Sequence, residues 1–174
     1  GTVKNNIATR KIAILAADGT DDTSVAAMIK ALSAAGAEAN IVAPRLGVLR
    51  GAKGAELPIH FSLLTAGSVL FDAVYVPGGA DAVEILKGDA KALMFIQEAY
   101  LHCKPIAAME EGVQLLMAAH LGQDKQAQSH AEGLAGDQTT TLLTQDAGIV
   151  VGRAQQLKLV IENFIKAIAQ HRHW

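Results

Sequence analysis

Alternation of short apolar runs with amphipathic segments along 174 residues predicts an α/β protein, a three-layer αβα sandwich on an open, mostly parallel sheet. Three observations carry that expectation. Five apolar runs show no helical stripe and read as strands buried on both faces. The segments between several of them repeat apolar residues at i, i+3 and i+4, the mark of a helix with one buried side. Hydrophobic residues make up 51% of the chain and aromatics only 4%, so the core is built from Ala, Val, Ile and Leu, which suits a parallel sheet under Ala-rich helices.

Taken in order, Lys11–Ala17 is the first strand, ended by Asp18-Gly19. Asp21, Asp22, Thr23 and Ser24 supply N-cap candidates and first-turn carboxylates, and Val25, Met28, Ile29 and Leu32 form one helical face. Gly36 stops that helix. Ala39–Ala43 is the second strand, closed by Pro44, which makes a β-α-β unit with its right-handed crossover. Val48–Ile59 reads as a small hairpin. Ala73–Val76 is a core strand ended by Pro77-Gly78-Gly79. A helix is predicted over Ala90–Cys103, with Leu93, Ile96, Gln97 and Tyr100 on one face. Ile106–Met109 is the next strand and Val113–His120 the next helix. Gln123–Asp137 is polar and patternless, a loop with room for one strand. Ile149–Val151 is the last core strand. Gln155–His171 is the closing helix, with Leu157, Ile161, Phe164, Ile165 and Ile168 as its stripe. The whole is of flavodoxin-like type, with one domain over residues 10–174 behind a polar linker over 1–9.

Charge and composition exclude several function classes. Fifteen basic and seventeen acidic residues give a net charge of −2 without a basic stripe, so no nucleic-acid partner is expected. No apolar run approaches the roughly 20 residues of a membrane span, and no signal peptide is evident. Cys103 is the single cysteine, which rules out an internal disulfide and a cysteine-based zinc site. A cytoplasmic setting fits. A first residue that is Gly rather than Met, behind which lies a polar leader, fits a piece cut at its linker.

Ligands of open α/β sheets bind at the carboxyl ends of the strands. Three loops lie there: Asp18–Asp22, Pro77–Asp81 and Glu110–Gly112. Asp21 and Glu110 are candidates for a carboxylate pair in which one member stays protonated. The preferred alternative is that each accepts N–H groups at a helix start. Glu111 and Asp22 are expected to face solvent. Gly78-Gly79 is either an anion-binding nest or a tight turn. His130 has no nucleophile beside it and is not assigned as a base. His120, His171 and His173 do not form a metal set. Cys103 lies at the wrong end of the sheet for a strand-end site and is expected to be buried or inert. Trp174 suits packing or an interface.

The run Ile12-Ala13-Ile14-Leu15-Ala16 with its acidic turn, Val76-Pro77-Gly78-Gly79, and Ile106-Ala107-Ala108-Met109-Glu110 together resemble the class I glutamine amidotransferase-like superfamily, within it the DJ-1/PfpI group. That resemblance implies a reactive cysteine at the elbow after the strand, an acid from the first loop, and N–H groups near the Gly-Gly turn that stabilise an oxyanion. Asp21 matches the acid, Gly79 the oxyanion turn, and Glu110 stands where the cysteine would be. A carboxylate is a poor substitute for a thiolate in acyl transfer. These three residues are therefore vestigial-site candidates, and no catalytic, cofactor-binding or metal residue is assigned.

A narrower resemblance covers Arg10 to Trp174. Leu57-Pro58-Ile59, Phe71-Asp72-Ala73-Val74-Tyr75-Val76-Pro77, the stretch from Glu98 to Ile106 and the closing His171-Arg172-His173-Trp174 resemble the C-terminal domain of large-subunit haem catalases, which lacks the nucleophile. It implies a non-catalytic domain serving assembly, stability or channel access. Peroxide dismutation would lie with haem in a separate N-terminal barrel of the same chain, within a homo-oligomer, a tetramer in the parent protein. Neither Tyr75 nor Tyr100 is assigned to haem. Two alternatives remain open: a free-standing DJ-1/PfpI-like hydrolase or deglycase-type enzyme using Asp21 and Glu110, and a small-molecule binding module at the strand ends.

Overall fold

The computed structural model describes residues 6–121, 142–144 and 148–171. Its central sheet has seven strands: β1 (Lys11–Leu15), β2 (Glu38–Ala43), β5 (Phe61–Ser62), β6 (Ala73–Val76), β7 (Ile106–Met109), β8 (Leu142–Thr144) and β9 (Ile149–Gly152), in the order β5-β2-β1-β6-β7-β9-β8. Every pairing is parallel except β8 with β9. The apolar runs are strands for the expected reason: every residue of β6, β7 and β9 is buried, as is all of β1 after Lys11.

Side chains alternate between two cores. Ile12, Ile14, Tyr75, Met109 and Val150 meet α1 (Asp22–Ala34) and the closing helix α5 (Leu157–His171), through Val25, Met28, Leu32, Val160 and Phe164. Ala13, Leu15, Val74, Val76, Ile106, Ala108 and Val151 meet the other layer of helices, α2 (Ala80–Lys87), α3 (Ala90–Leu101) and α4 (Gly112–Ala118). The expected three-layer αβα sandwich of flavodoxin-like type is the observed one.

Several local expectations need correction. The helix α2 was not expected; eight residues between Gly79 and Gly88, without a side-chain cap, bury Ala82, Val83 and Leu86. The buried face of α3 is Ala92, Phe95, Ile96 and Ala99, one position away from the expected stripe. Leu93 and Tyr100 flank that core, and Gln97 Nε2 donates to the Ala119 carbonyl at 3.1 Å. The expected hairpin exists as β3 (Gly47–Arg50) paired antiparallel with β4 (Glu56–Ile59) in a sheet of its own. Ile7 is buried, and Thr9 N donates to Gly36 O at 2.9 Å, so the segment entering β1 packs on the domain. The loop expected over Gln123–Asp137, together with His130, His173 and Trp174, lies outside the described residues.

Candidate functional site

Strand order reverses at β1, which lies between β2 and β6, so the carboxyl ends of β1 and β6 form the topological switch point. The loops after β1, β6 and β7 meet there. Asp21 N donates to Gly78 O at 3.0 Å. A Cβ on Gly79 would stand 2.4 Å from Gly19 O, and one on Gly78 would stand 3.0 Å from Glu110 Cβ. With φ at +119°, Gly79 also needs the freedom that only glycine has. The three candidates Asp21, Gly79 and Glu110 are thus brought to one place.

Their polar groups are already engaged. Asp21 caps α1, its Oδ1 accepting from Thr23 N at 3.2 Å. Glu110 sits at φ +49°, the left-handed conformation of a sharp strand-to-helix elbow. Its Oε2 accepts from Ala154 N at 2.5 Å, at the 3₁₀ turn Ala154–Gln156 that leads into α5. Asp21 and Glu110 share no hydrogen bond with each other. Each accepts an N–H at a helix start, Glu110 at a helix other than the one that follows it.

Glu111, expected in solvent, instead turns inward: its Oε1 accepts from Gly79 N at 2.8 Å. That N–H belongs to the turn that would serve an oxyanion in the resembling enzymes, and a carboxylate of the chain itself occupies it. Gly112 completes the elbow. A Cβ there would lie 2.5 Å from Val76 O and 2.9 Å from Pro77 O, so only glycine lets α4 start against the end of β6.

Asp22, also expected in solvent, does not face it. It is buried, and its two carboxylate oxygens accept from Lys53 N at 3.0 Å and Ala55 N at 2.9 Å. Burial pushes its carboxyl up, but these N–H groups, with the Lys53 charge, overcome that and hold it below the ordinary carboxylate value. Asp18 is held low as well, chiefly by the N–H of Arg50 and further by the Arg45 guanidinium at 2.9 Å, against a smaller push from burial. The hairpin β3–β4 therefore straps the first loop down, helped by Gly19 N to Arg50 O and Ala52 N to Thr20 O. Between strap and α2 lies an open groove of about 660 Å³, lined by Asp18, Arg45, Arg50, Glu56, Asp81 and Ile85 among others.

Tyr75 lies wholly within the core on the α1 side of β6, and burial pushes its hydroxyl up, reinforced by the Asp21 charge and partly offset by Ser24. The Phe164 ring packs beside it with centroids 6.5 Å apart, and Tyr100 is on the outer helix α3. No group of three His, Cys, Asp or Glu side chains among the described residues is placed to hold a metal ion. Cys103 is exposed rather than buried, in the turn that precedes β7, at the opposite end of the sheet from the elbow. No helix among the described residues is long and apolar enough to cross a membrane.

A fold with an elbow, a Gly-Gly turn whose Gly79 N–H is filled and an acidic first loop matches known proteins in two ways. By sequence, residues 8–174 match the family described as the C-terminal domain found in long catalases. The chain belongs to that family. It is 38% identical to Catalase HPII of Mycobacterium avium over 98% of this chain and 23% of that protein. It is 33% identical to Catalase-2 of Bacillus subtilis over 99% of this chain and 22% of that protein. The chain thus spans less than a quarter of these curated relatives. By structure, it resembles a ThiJ/PfpI domain protein of Brachyspira murdochii (TM-score 0.75, 18% identity, 92% of this chain and 97% of that one). It also resembles oxidized DJ-1 of Toxoplasma gondii (TM-score 0.73, 17% identity, 94% and 95%). At such identities the structural likeness establishes a shared fold. This long-catalase C-terminal domain therefore has a DJ-1/PfpI-like, flavodoxin-like architecture.

Proposed function

We propose that residues 10–174 form a single non-catalytic domain of a large haem catalase, serving assembly, stability or channel access, while hydrogen peroxide dismutation resides with haem in the N-terminal barrel of the same chain. The observation that carries this reading is the occupation of the strand-end donors. Gly79 N–H is filled by Glu111 and Ala154 N–H by Glu110, so the elbow carries no thiol nucleophile and the Gly-Gly turn has its Gly79 donor occupied. The partners on this reading are the catalase barrel and the other subunits of a homotetramer. A cytoplasmic setting goes with it, and no cofactor is assigned to this domain.

The test is deletion of residues 10–174 from the parent enzyme. Weakened tetramers, a lower melting temperature or altered peroxide kinetics are the expected results. A truncated enzyme identical to the full one in all three respects would overturn the reading. Turnover of a peptide, amide or glycated substrate by the chain, lost in Glu110→Gln, would establish the hydrolase or deglycase-type alternative instead.

A further inference from the structure

Ten large apolar side chains among the described residues are at least 40% exposed, and five of them, Leu64, Val69, Leu70, Met94 and Leu101, lie on α3 or on the Leu64–Leu70 segment beside it. Met94 and Leu101 are seven apart on α3, hence on the same face. The 3₁₀ turn Ser68–Leu70 packs beside that helix and is fastened by Lys104 Nζ donating to Ser68 O at 2.7 Å. Leu64 and Met94 line a shallow groove of about 230 Å³ together with Lys91, Phe95 and Glu98. Beneath it Phe61, Phe71 and Phe95 pack ring against ring at centroid distances of 5.4 and 5.9 Å. The strip is therefore a rigid surface rather than a floppy one, and ordering it costs little on binding.

Its position points to an occupant. Val69, Leu70 and Leu101 lie at the amino ends of β6 and β7. The chain enters the domain at that same end: Lys11 N donates to Asp72 Oδ2 at 2.8 Å and Asp72 N to Lys11 O at 2.7 Å, three residues beyond Val69. A second group of exposed apolar side chains, Leu46, Val48 and Ile85, lies beside the strand-end groove, among the charges of Asp18, Arg45, Arg50, Glu56 and Asp81. It faces away from the entry point.

We propose that the strip from Leu64 to Leu101 is the surface that docks on the catalase body of the same chain. The proposal rests on the reading above, in which that body precedes the domain. A body joined ahead of Ile7 docks intramolecularly, at an effective concentration set by the joining segment, so a modest apolar contact on the entry side suffices to hold it. Large exposed apolar patches are the usual mark of such interfaces.

The test uses the full-length holoenzyme in a Cys103→Ser background, with Leu101→Cys and Ile85→Cys compared for alkylation at the labelled peptide. Leu101→Cys is expected to label at least about tenfold more slowly, the factor of a contact worth about 1.4 kcal/mol, and the difference should vanish in urea. Equal rates, or protection of Ile85→Cys alone, would overturn the proposal. A bifunctional maleimide at Leu101→Cys should capture a peptide of the catalase body; capture of a second copy of this domain instead would assign the strip to self-association and refute it. A parent chain without a catalase body would refute the underlying reading itself, whereas fast labelling in a chain whose deletion phenotype is intact refutes only this surface.

Discussion

Glu110 stands at the turn of the strand-to-helix elbow, and its substitution has a sign that can be worked out. The residue holds φ +49° and gives its Oε2 to Ala154 N. Glu110→Ala loses the charge-assisted hydrogen bond, worth about 1.5–3 kcal/mol when shielded and closer to about 1–1.5 kcal/mol here because Ala154 is exposed and water can replace the acceptor. Alanine keeps the left-handed strain, of order 1 kcal/mol. Glu110→Gly loses the same bond but relieves that strain, offset in part by the greater freedom of glycine in the unfolded chain. Alanine should therefore lower stability by about 1–1.5 kcal/mol, or roughly 2–6 °C in melting temperature for a domain of this size. Glycine should lower it by under about 1 kcal/mol. Urea unfolding of the three proteins reads the order directly, wild type above glycine above alanine. Alanine equal to or more stable than glycine would show that the elbow is not strained at this residue, and an unchanged alanine variant would show that the contact to Ala154 contributes nothing.

Three further outcomes follow from the same contacts. Gly112→Ala would place a methyl group against two backbone carbonyls, so overpacking of about 3 kcal/mol should outweigh a helix-propensity gain of under about 1 kcal/mol; a melting temperature equal to wild type would contradict the packing at the elbow. Asp22 has its folded pKa depressed below the ordinary 3.8, so its contribution is complete above that value and is lost as pH falls through the folded pKa. Asp22→Asn should accordingly be destabilised near neutral pH, with the gap to wild type closing below pH 3.8, and a gap that is constant with pH would refute the charge-assisted role. Cys103, exposed and remote from the elbow, should titrate as one thiol in the folded chain, and Cys103→Ser should melt within about 0.5 kcal/mol of wild type; a protected thiol or a larger loss would contradict its placement.

The strands were legible because a doubly covered parallel sheet writes itself as unbroken apolar runs, as in Ile12–Leu15 and Ile106–Met109. α2 was not, since its three buried side chains fall between two glycines with no capping residue to announce it. On α3 the large residues Leu93 and Tyr100 suggested the wrong face: Ala92 and Ala99 are the close contacts, and small residues at such contacts carry no hydropathic signal. Asp22 shows a different limit. Its position two residues before Ser24 announces a helix start, but its partners lie more than thirty residues downstream, in a hairpin whose Gly51 leaves room for the carboxylate. Likewise two adjacent glutamates at a turn do not reveal from sequence that Glu110 reaches across to the 3₁₀ turn after β9 and Glu111 back to the Gly79 turn after β6.

The accepted N–H groups also give the elbow a mechanical role. A strand-turn-helix with a positive φ and a glycine wedged against β6 is costly to keep for its own sake. Here three acidic residues at the strand ends each tie two elements together. Glu111 joins the elbow to the Gly79 turn, Glu110 joins it to the start of α5, and Asp22 joins α1 to the β3–β4 strap. A cysteine at position 110 would have too short a side chain and too weak an acceptor to bridge to Ala154. A carboxylate is a poor substitute for a thiolate in acyl transfer, but it is the better strut between the elbow and the turn that leads into α5.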